Sequence, residues 1–417
     1  MRSLASRLDW VERDGRLIMA TRALRTFAQS SATVVIAIYL GLRGFDLIEI
    51  GIFLTLGSAG VAAAALVIGV LGDGVGRRRA LMALGSLMAL TGIALAVSDD
   101  FLVLGVVAFL GGFSAMAGSG GGMGILEQAI LADAAPPHRR TDVFALNSIV
   151  ATAAGSLGAL ASGLPTVIQH SLGTAQLFSF RLLFLMYAAF GLVIAILYSR
   201  LSVRAEPADG MARWTNPMRT PSRRRIFTLA GLFAADSFGT GLAVESLASY
   251  WFFTRFGLQA DELGVVFFAS NVLTAASLWV AVRLARRIGL VNTMVFTHIP
   301  SSLCLVAMMF APVAWLAILL WLLRAFLGQM DVPTSQSYTM AVVGAEERTV
   351  MASATTVSRS TGAAIGPTVA AALWSTTSAA VPFIAGALVK ITYDLTLWTL
   401  FRRVKPLEEA MLERRIR

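Results

Sequence analysis

Charged residues are scarce in this chain: only 14% of its 417 residues are Asp, Glu, Lys or Arg, and 57% are hydrophobic. Soluble globular proteins are about 25% charged. So few charges cannot cover a surface that faces water, and the mean hydropathy of +0.74 agrees with this. Most of the surface is therefore expected to face lipid.

Residues that build disulfide, phosphate and metal sites are also rare. The single cysteine, Cys304, excludes a disulfide framework within the chain. The two lysines, Lys390 and Lys405, lie in no phosphate-binding loop, and the three histidines are too scattered for a metal pair. We therefore expect no enzyme, no cofactor and no metal, and any work must come from an ion or solute gradient. The polar stretch 1–16 lacks the apolar core of a signal peptide.

The net charge of +10 is typical of a nucleic-acid-binding protein, but the positions of the cations argue against that function. Arginines cluster in alternate short connections, which indicates membrane topology rather than a phosphate-binding surface. We expect the lipid bilayer, and no nucleic acid, as the environment of this chain.

Apolar stretches of roughly 20 residues, the length needed to cross ~30 Å of hydrocarbon, follow one another along the chain. They lie near 17–40, 47–71, 79–98, 101–131, 142–168, 178–198, 226–250, 262–283, 291–310, 313–331, 349–373 and 379–401. The short alternating segments of a membrane β-barrel are not found. The sequence predicts an all-α polytopic membrane protein with about 12 transmembrane helices.

Connections between these spans differ sharply in their arginine content. One set is rich in arginine and includes both chain ends, whereas the other holds only scattered charges such as Arg43 and Asp99. Because positive connections stay in the cytoplasm, both termini are expected to be cytoplasmic. We expect a monomer in the cell (inner) membrane.

The longest polar connection, 199–225, is basic and contains three prolines. It divides the chain into an N-terminal half, 1–198, and a C-terminal half, 226–417, with six spans each. Gln128 precedes Arg140 by twelve residues, and Gln336 precedes Arg348 by the same interval. The sequence thus predicts two pseudo-symmetric halves joined by a cytoplasmic linker.

The connection 69–79 reads GVLGDGVGRRR and packs one acid, three arginines and several glycines between spans two and three. It resembles the loop between helices two and three of the major facilitator superfamily of transporters, although Gly74 stands where that family often has Arg or Lys. The resemblance implies two six-helix halves around a central cavity, transport by alternating access, and a cytoplasmic gate made of Gly69, Asp73, Gly76, Arg77 and Arg78. The alternative is a cytoplasmic turn held in place by its positive charges.

Ionisable side chains at membrane depth cost on the order of 2.5–3.5 kcal/mol to insert, so each is a functional candidate. The resemblance implies that spans one, four, seven and ten line the cavity, and span eleven adds one arginine near mid-depth. The coupling or substrate-binding candidates are Arg25, Glu127, Asp236, Glu245, Arg324 and Arg359, with Arg22 also on span one.

Asp236 is the first candidate for proton coupling, because it lies about ten residues inside span seven among small residues. The alternative is a static ion pair with Arg324 or Arg25. These two arginines could instead bind an anionic group of a substrate. Glu127 lies near the end of span four and is interpreted as a gate or structural pair.

Two further features are interpreted as structural. Lys390 and Asp394 are four residues apart on span twelve and are expected to pair on one helix face. The small residues of span eleven, from Ser353 through Gly362, Gly366 and Pro367, resemble the antiporter motif of the same superfamily. That motif belongs on helix five, so close helix packing with a proline kink is preferred here.

Together these patterns predict a secondary active transporter of a small molecule, with a proton as coupling ion and efflux, as in an antiporter, as the expected direction. Uptake by a symporter or uniporter is the alternative direction. A sensor or scaffold that transports nothing is the alternative of another class, but such a protein gains nothing from Asp236, Arg324 and Arg359 at membrane depth.

Overall fold

Helices form almost all of this structure, a computed structural model that describes residues 11–111, 113, 121–134, 140–206, 222–331, 334–335, 338–339, 343 and 348–401. They are α1 (Arg13–Leu42), α2 (Leu47–Val75), α3 (Arg77–Val97), α4 (Phe101–Gly111), α5 (Gly121–Asp133), α6 (Arg140–Ala161), α7 (Leu164–Leu172), α8 (Gln176–Tyr198), α9 (Arg223–Leu242), α10 (Glu245–Phe256), α11 (Ala260–Ile288), α12 (Leu290–Met309), α13 (Ala314–Gly328), α14 (Arg348–Thr376) and α15 (Ala380–Phe401). Within the described ranges no residue lies in a β-strand.

Every predicted span corresponds to one helix or to two consecutive helices. In the described part of the chain, nine helical stretches are long and apolar enough to cross a membrane, and α4 and α13 are shorter apolar helices. Span seven divides into α9 and α10 at Ala243, and span five divides into α6 and α7 at Ser162. Span four divides into α4 and α5, and most of the residues between them lie outside the described part.

The chain forms two compact units. Unit one contains Met1–Ala212 and Glu245–Phe268, and unit two contains Arg213–Val244 and Ala269–Arg417. The chain therefore passes from unit two into unit one at the short break after α9. It returns to unit two within α11, after Phe268.

Unit one packs α1 against α6, α8 and α10. Small residues allow α10 and the start of α11 to lie directly on the helices of this unit. A Cβ atom on Gly41 of α1 would lie 3.0 Å from Cε2 of Tyr250, and one on Gly163 would lie 2.8 Å from Cα of Asp261. Glu245–Phe268 is thus closely packed against the ends of α1 and α6.

Unit two is built around α9, which lies between α14 and α15. Glycines bring these backbones together, because a Cβ on Gly366 would lie 2.4 Å from Cα of Gly241 and one on Gly362 would lie 2.2 Å from the Ala234 carbonyl oxygen. On the other side, a Cβ on Gly386 would lie 2.7 Å from the carbonyl oxygen of Gly239. Close helix packing is therefore the structural role of these glycines on α14.

The glycine contacts generate a test of the packing in unit two. Gly366→Ala forces a methyl group into the backbone of α9, and overpacking of this kind costs about 1–3 kcal/mol. We expect the apparent Tm of the detergent-solubilised protein to fall by several degrees. Gly231→Ala on α9 is the matched control, because a Cβ there meets no atom within 4 Å. Equal Tm values for the two variants would contradict the close approach of α9 and α14.

Candidate functional site

Unit two holds a group of ionisable side chains in the middle of its helices. We call Asp236, His298, Asp331, Arg359, Lys390 and Asp394 the charge network. His298 is the ninth of the 20 residues of α12, and Lys390 is the eleventh of the 22 residues of α15. Charged groups at such depth require partners or a function.

Asp236 of α9 is the centre of the charge network. Its Oδ1 accepts a hydrogen bond of 2.8 Å from Nζ of Lys390, which also donates to the Thr240 hydroxyl at 2.8 Å. Its Oδ2 lies 3.8 Å from Nη1 of Arg359, and its Oδ1 lies 4.0 Å from Nε2 of His298. One carboxylate therefore faces three different nitrogen groups on α12, α14 and α15.

His298 joins Asp236 to a second buried carboxylate. Its Nδ1 lies 3.0 Å from Oδ1 of Asp394, a hydrogen bond between α12 and α15. The other oxygen of Asp394, Oδ2, is buried and has no hydrogen-bond partner in the described part of the chain. Since a buried unsatisfied carboxylate oxygen is costly, this half of the pair is suited to holding a proton.

Asp331, which follows α13, adds a third carboxyl group to this region. It is buried and interacts electrostatically with His298 and Asp236. Three carboxylates then face two permanent cations, Lys390 and Arg359, which leaves one excess negative charge. Because an uncompensated buried charge is strongly unfavourable, one proton on the charge network balances it.

Two aromatic rings form the apolar side of the charge network. The guanidinium carbon of Arg359 lies 4.1 Å from the centroid of the Phe233 ring, a cation–π contact. The Tyr393 ring lies edge-on to His298 with centroids 6.3 Å apart. Both rings belong to the buried hydrophobic cluster of unit two, so the charged groups are held against a packed core.

Unit one contains a smaller ionic group, built around one carboxylate whose two oxygens are both hydrogen-bonded. Nη2 of Arg25 on α1 donates a hydrogen bond of 2.6 Å to Oε2 of Glu127 on α5. The Tyr198 hydroxyl on α8 donates to the other carboxylate oxygen, also at 2.6 Å. All three side chains are buried. They hold three helices together, which agrees with a structural pair for Glu127.

The remaining membrane-depth candidates are not among the residues that form the hydrogen bonds and ion pairs described above. Glu245 is the first residue of α10 in unit one. Arg324 of α13 stacks on the Trp321 ring, with its guanidinium carbon 4.6 Å from the ring centroid. Arg22 is half-buried, near the start of α1 and close to Glu127.

The arginine-rich connection between α2 and α3 is almost entirely helical. Only Gly76 separates the two helices, with φ of +92°, a conformation that favours glycine. Glu206 caps α3, because its carboxylate accepts hydrogen bonds from the backbone N–H groups of Arg77 (2.6 Å) and Arg78 (3.2 Å). The side chains of Asp73 and of its neighbours from Gly69 to Val75 lie outside the described part of the chain.

A family model with the description Major Facilitator Superfamily matches residues 18–367, which is most of the chain. The chain belongs to the major facilitator superfamily. Its members are membrane transporters, so this chain is a multi-pass membrane transport protein. The match confirms the fold class predicted from the apolar spans and from the connection 69–79.

Similar proteins support the same fold. An uncharacterised membrane protein of Saccharomyces cerevisiae is 25% identical over 421 residues, covering 93% of this chain and 94% of that protein. The crystal structure of the nucleoside transporter NupG has a TM-score of 0.74 at 11% identity, covering 94% of this chain and all of the other. A D-xylose–proton symporter has a TM-score of 0.68 at 13% identity, covering 92% and 97%.

For this superfamily member, one expectation about ion pairing was wrong, and one alternative named the wrong cations for Asp236. Lys390 and Asp394 do not pair along α15; Lys390 binds Asp236, and Asp394 binds His298. Asp236 pairs with neither Arg324 nor Arg25, because Lys390 is its hydrogen-bonded cation and Arg25 binds Glu127. An i, i+4 spacing allows a local pair, but helix packing in unit two supplies closer partners.

Sequence reasoning also missed residues that complete these groups. His298 was considered only for metal binding, although its place in the middle of an apolar span was a usable signal. Tyr198 lies at the end of span six, and no spacing pattern connects it to Glu127. Glu206 lies beyond that span, and no spacing pattern connects it to Arg77.

The Asp236–Lys390 contact predicts strong coupling between the two residues. Lys390→Met should leave the buried Asp236 carboxylate without its hydrogen-bonded cation, a loss of about 3–5 kcal/mol for a buried pair. Adding Asp236→Asn to Lys390→Met should recover much of that loss. The measurement is thermal unfolding of the wild type, both single variants and the double variant. Losses that simply add would mean that the two side chains do not interact.

Proposed function

We propose that this protein is a proton-coupled transporter of a small solute that works by alternating access. The observation that carries this proposal is the charge network, in which three buried carboxyl groups face two permanent cations in unit two. When a mobile proton is bound, the charge network is neutral. When the proton dissociates, the network carries one buried negative charge.

The proton and Asp236 act together in this proposal. Asp236 faces Lys390 on α15, Arg359 on α14 and His298 on α12. When His298 carries a proton it is a third cation for the same carboxylate, and when it is neutral the carboxylate is left to Lys390 and Arg359. Proton binding therefore changes the attraction between α9 and three neighbouring helices, which is the kind of bias that shifts a transporter between conformations.

The connection 69–79 supports a second part of the proposal, a gate on the expected cytoplasmic side. Gly76 places the start of α3 against Glu206, and this carboxylate ties α3 to the segment that follows α8. Asp14 of α1 accepts hydrogen bonds from the backbone and side chain of Ser202 in that segment. We propose that Gly69, Asp73, Gly76, Arg77 and Arg78 form a gate at this junction of α1, α3 and the segment after α8.

Both directions of transport are compatible with a proton-coupled mechanism. The sequence predicts efflux, and uptake with the proton is the alternative. Counterflow in vesicles, with the solute first inside and then outside, distinguishes them. A sensor or scaffold that transports nothing has no need of a buried charge network that becomes neutral only when it binds a proton.

The proposed coupling predicts that Asp236→Asn and His298→Gln abolish pH-driven accumulation while solute binding is retained. Each change removes a charge from the network and with it the energetic link to the proton. The measurement is solute accumulation in proteoliposomes with a pH gradient of either orientation and with no pH gradient.

The matched control is His170→Gln, because His170 is exposed at the end of α7. This variant should keep the wild-type response. Solute accumulation by the wild type that is the same with and without a pH gradient would contradict proton coupling.

A further inference from the structure

Arg359 differs from the rest of the charge network in its exposure. Its side chain is 35% exposed, compared with 11% for Lys390 and 6% or less for Asp236, His298 and Asp394. The carboxyl groups are therefore buried, whereas part of the guanidinium side chain is open to contact with another molecule.

Among the described residues, the guanidinium of Arg359 has no hydrogen-bond acceptor. The nearest carboxylate oxygen there, Oδ2 of Asp236, is 3.8 Å away, which is too far for a hydrogen bond. An arginine has five N–H donors in a planar fork, and a mid-membrane arginine without an acceptor in this part of the chain is suited to a ligand.

The exposed part of Arg359 lies on the polar side of α14. At 100° per residue, Thr356 and Ser360 lie within about 100° of Arg359 around the helix, and both are at least partly exposed. Val357 and Ile365, which are exposed and apolar, lie about 120–160° away and form the side suited to lipid. Arg359 therefore faces away from the lipid side of its own helix.

Phe233 holds this guanidinium through a cation–π contact. The guanidinium carbon lies 4.1 Å from the centroid of the Phe233 ring, which is itself fully buried. About a third of the arginine side chain is exposed, and a guanidinium binds a carboxylate or phosphate through two parallel hydrogen bonds. A partly exposed arginine held by an aromatic ring is therefore suited to a planar anionic group.

The other arginines at membrane depth are less suited to this role. Arg25 is buried and hydrogen-bonded to Glu127. Arg324 has a further interaction besides its stacking on Trp321, and Arg22 lies close to the Arg25–Glu127 pair.

We propose that Arg359 binds an anionic group of the transported solute, a carboxylate or a phosphate ester, and that this anion and the proton bind together. The inference rests on the proposed proton-coupled transport. A bound anion neutralises Arg359, so the negative charge of Asp236 becomes available to a protonated His298 only 4.0 Å away.

Among the described residues, the charged or titratable groups that face His298 enter this balance. They are Asp236 on α9, Asp331 after α13, and Lys390, Tyr393 and Asp394 on α15, and Arg359 on α14 acts through Asp236. Adding an anion to a network that already has one excess negative charge favours the bound proton, and by linkage the proton favours the anion. Joint binding favours symport, the alternative direction, over exchange.

Thermal-shift measurements on the purified full-length protein test the anion site. The probes are small carboxylates and phosphate monoesters, each paired with its neutral amide or alcohol and with an amine of similar size. We expect stabilisation by members of the anion series and not by their neutral partners. Arg359→Gln should weaken that stabilisation at least about tenfold in apparent Kd, and Arg359→Lys should weaken it less.

The control is Arg283→Gln, which removes an exposed arginine of α11 that also lies over an aromatic ring, Trp279, and should leave anion binding unchanged. Several results overturn the proposal. These are stabilisation only by neutral or cationic probes, no stabilisation by any anion, or anion binding that survives Arg359→Gln or is lost in Arg283→Gln.

Proton uptake on anion binding separates this inference from the proposed function. In weakly buffered solution with a pH dye, the wild type should take up about one proton per bound anion. His298→Gln should bind the anion without proton uptake, and Arg359→Gln should show neither. Anion binding through Arg359 without proton uptake would overturn the joint binding and contradict the proposed coupling. Proton-coupled transport of a neutral or cationic solute would overturn the anion site and leave the coupling intact.

Discussion

The contact between Asp236 and its three nitrogen partners is the interaction on which unit two depends. Lys390 holds Oδ1 at 2.8 Å, while Arg359 at 3.8 Å and His298 at 4.0 Å lie just outside hydrogen-bond distance. A carboxylate with one close cation and two more distant partners is able to exchange one partner for another. The glycines that bring α9 against α14 and α15 make this crowding possible, because bulkier residues would separate the helices.

The two units use buried charge differently. In unit one, both oxygens of Glu127 are hydrogen-bonded, to Arg25 and Tyr198, and the group fastens α1, α5 and α8 together. In unit two, Oδ2 of Asp394 has no hydrogen-bond partner in the described residues, and Arg359 is partly exposed. A carboxylate with both oxygens hydrogen-bonded stabilises one arrangement, whereas a carboxylate with an unsatisfied oxygen responds to an added proton and a partly exposed arginine responds to an added anion. This contrast is why we place coupling in unit two.

Hydropathy and the connection 69–79 were sufficient to predict the helical membrane fold and the family, because both signals are local in sequence. Asp236 was also identified from its position in an apolar span. Its partner could not be predicted, since Lys390 is 154 residues away and only tertiary packing brings the two together. The i, i+4 spacing on one helix instead favoured Asp394 as the ion-pair partner of Lys390, and that prediction was wrong. Glu206 was missed for the same reason, because its contact with Arg77 spans 129 residues.

Nitrogen NMR of histidine tests the proton site most directly, because the chain has only three histidines and His298→Gln identifies one of them. The account predicts that the His298 signals change between neutral and doubly protonated imidazole over the pH range in which the protein stays folded, and that Asp236→Asn displaces this transition. His170, which is exposed, provides a second histidine signal for comparison. A His298 that keeps one protonation state throughout that range, in both the wild type and Asp236→Asn, would contradict the account.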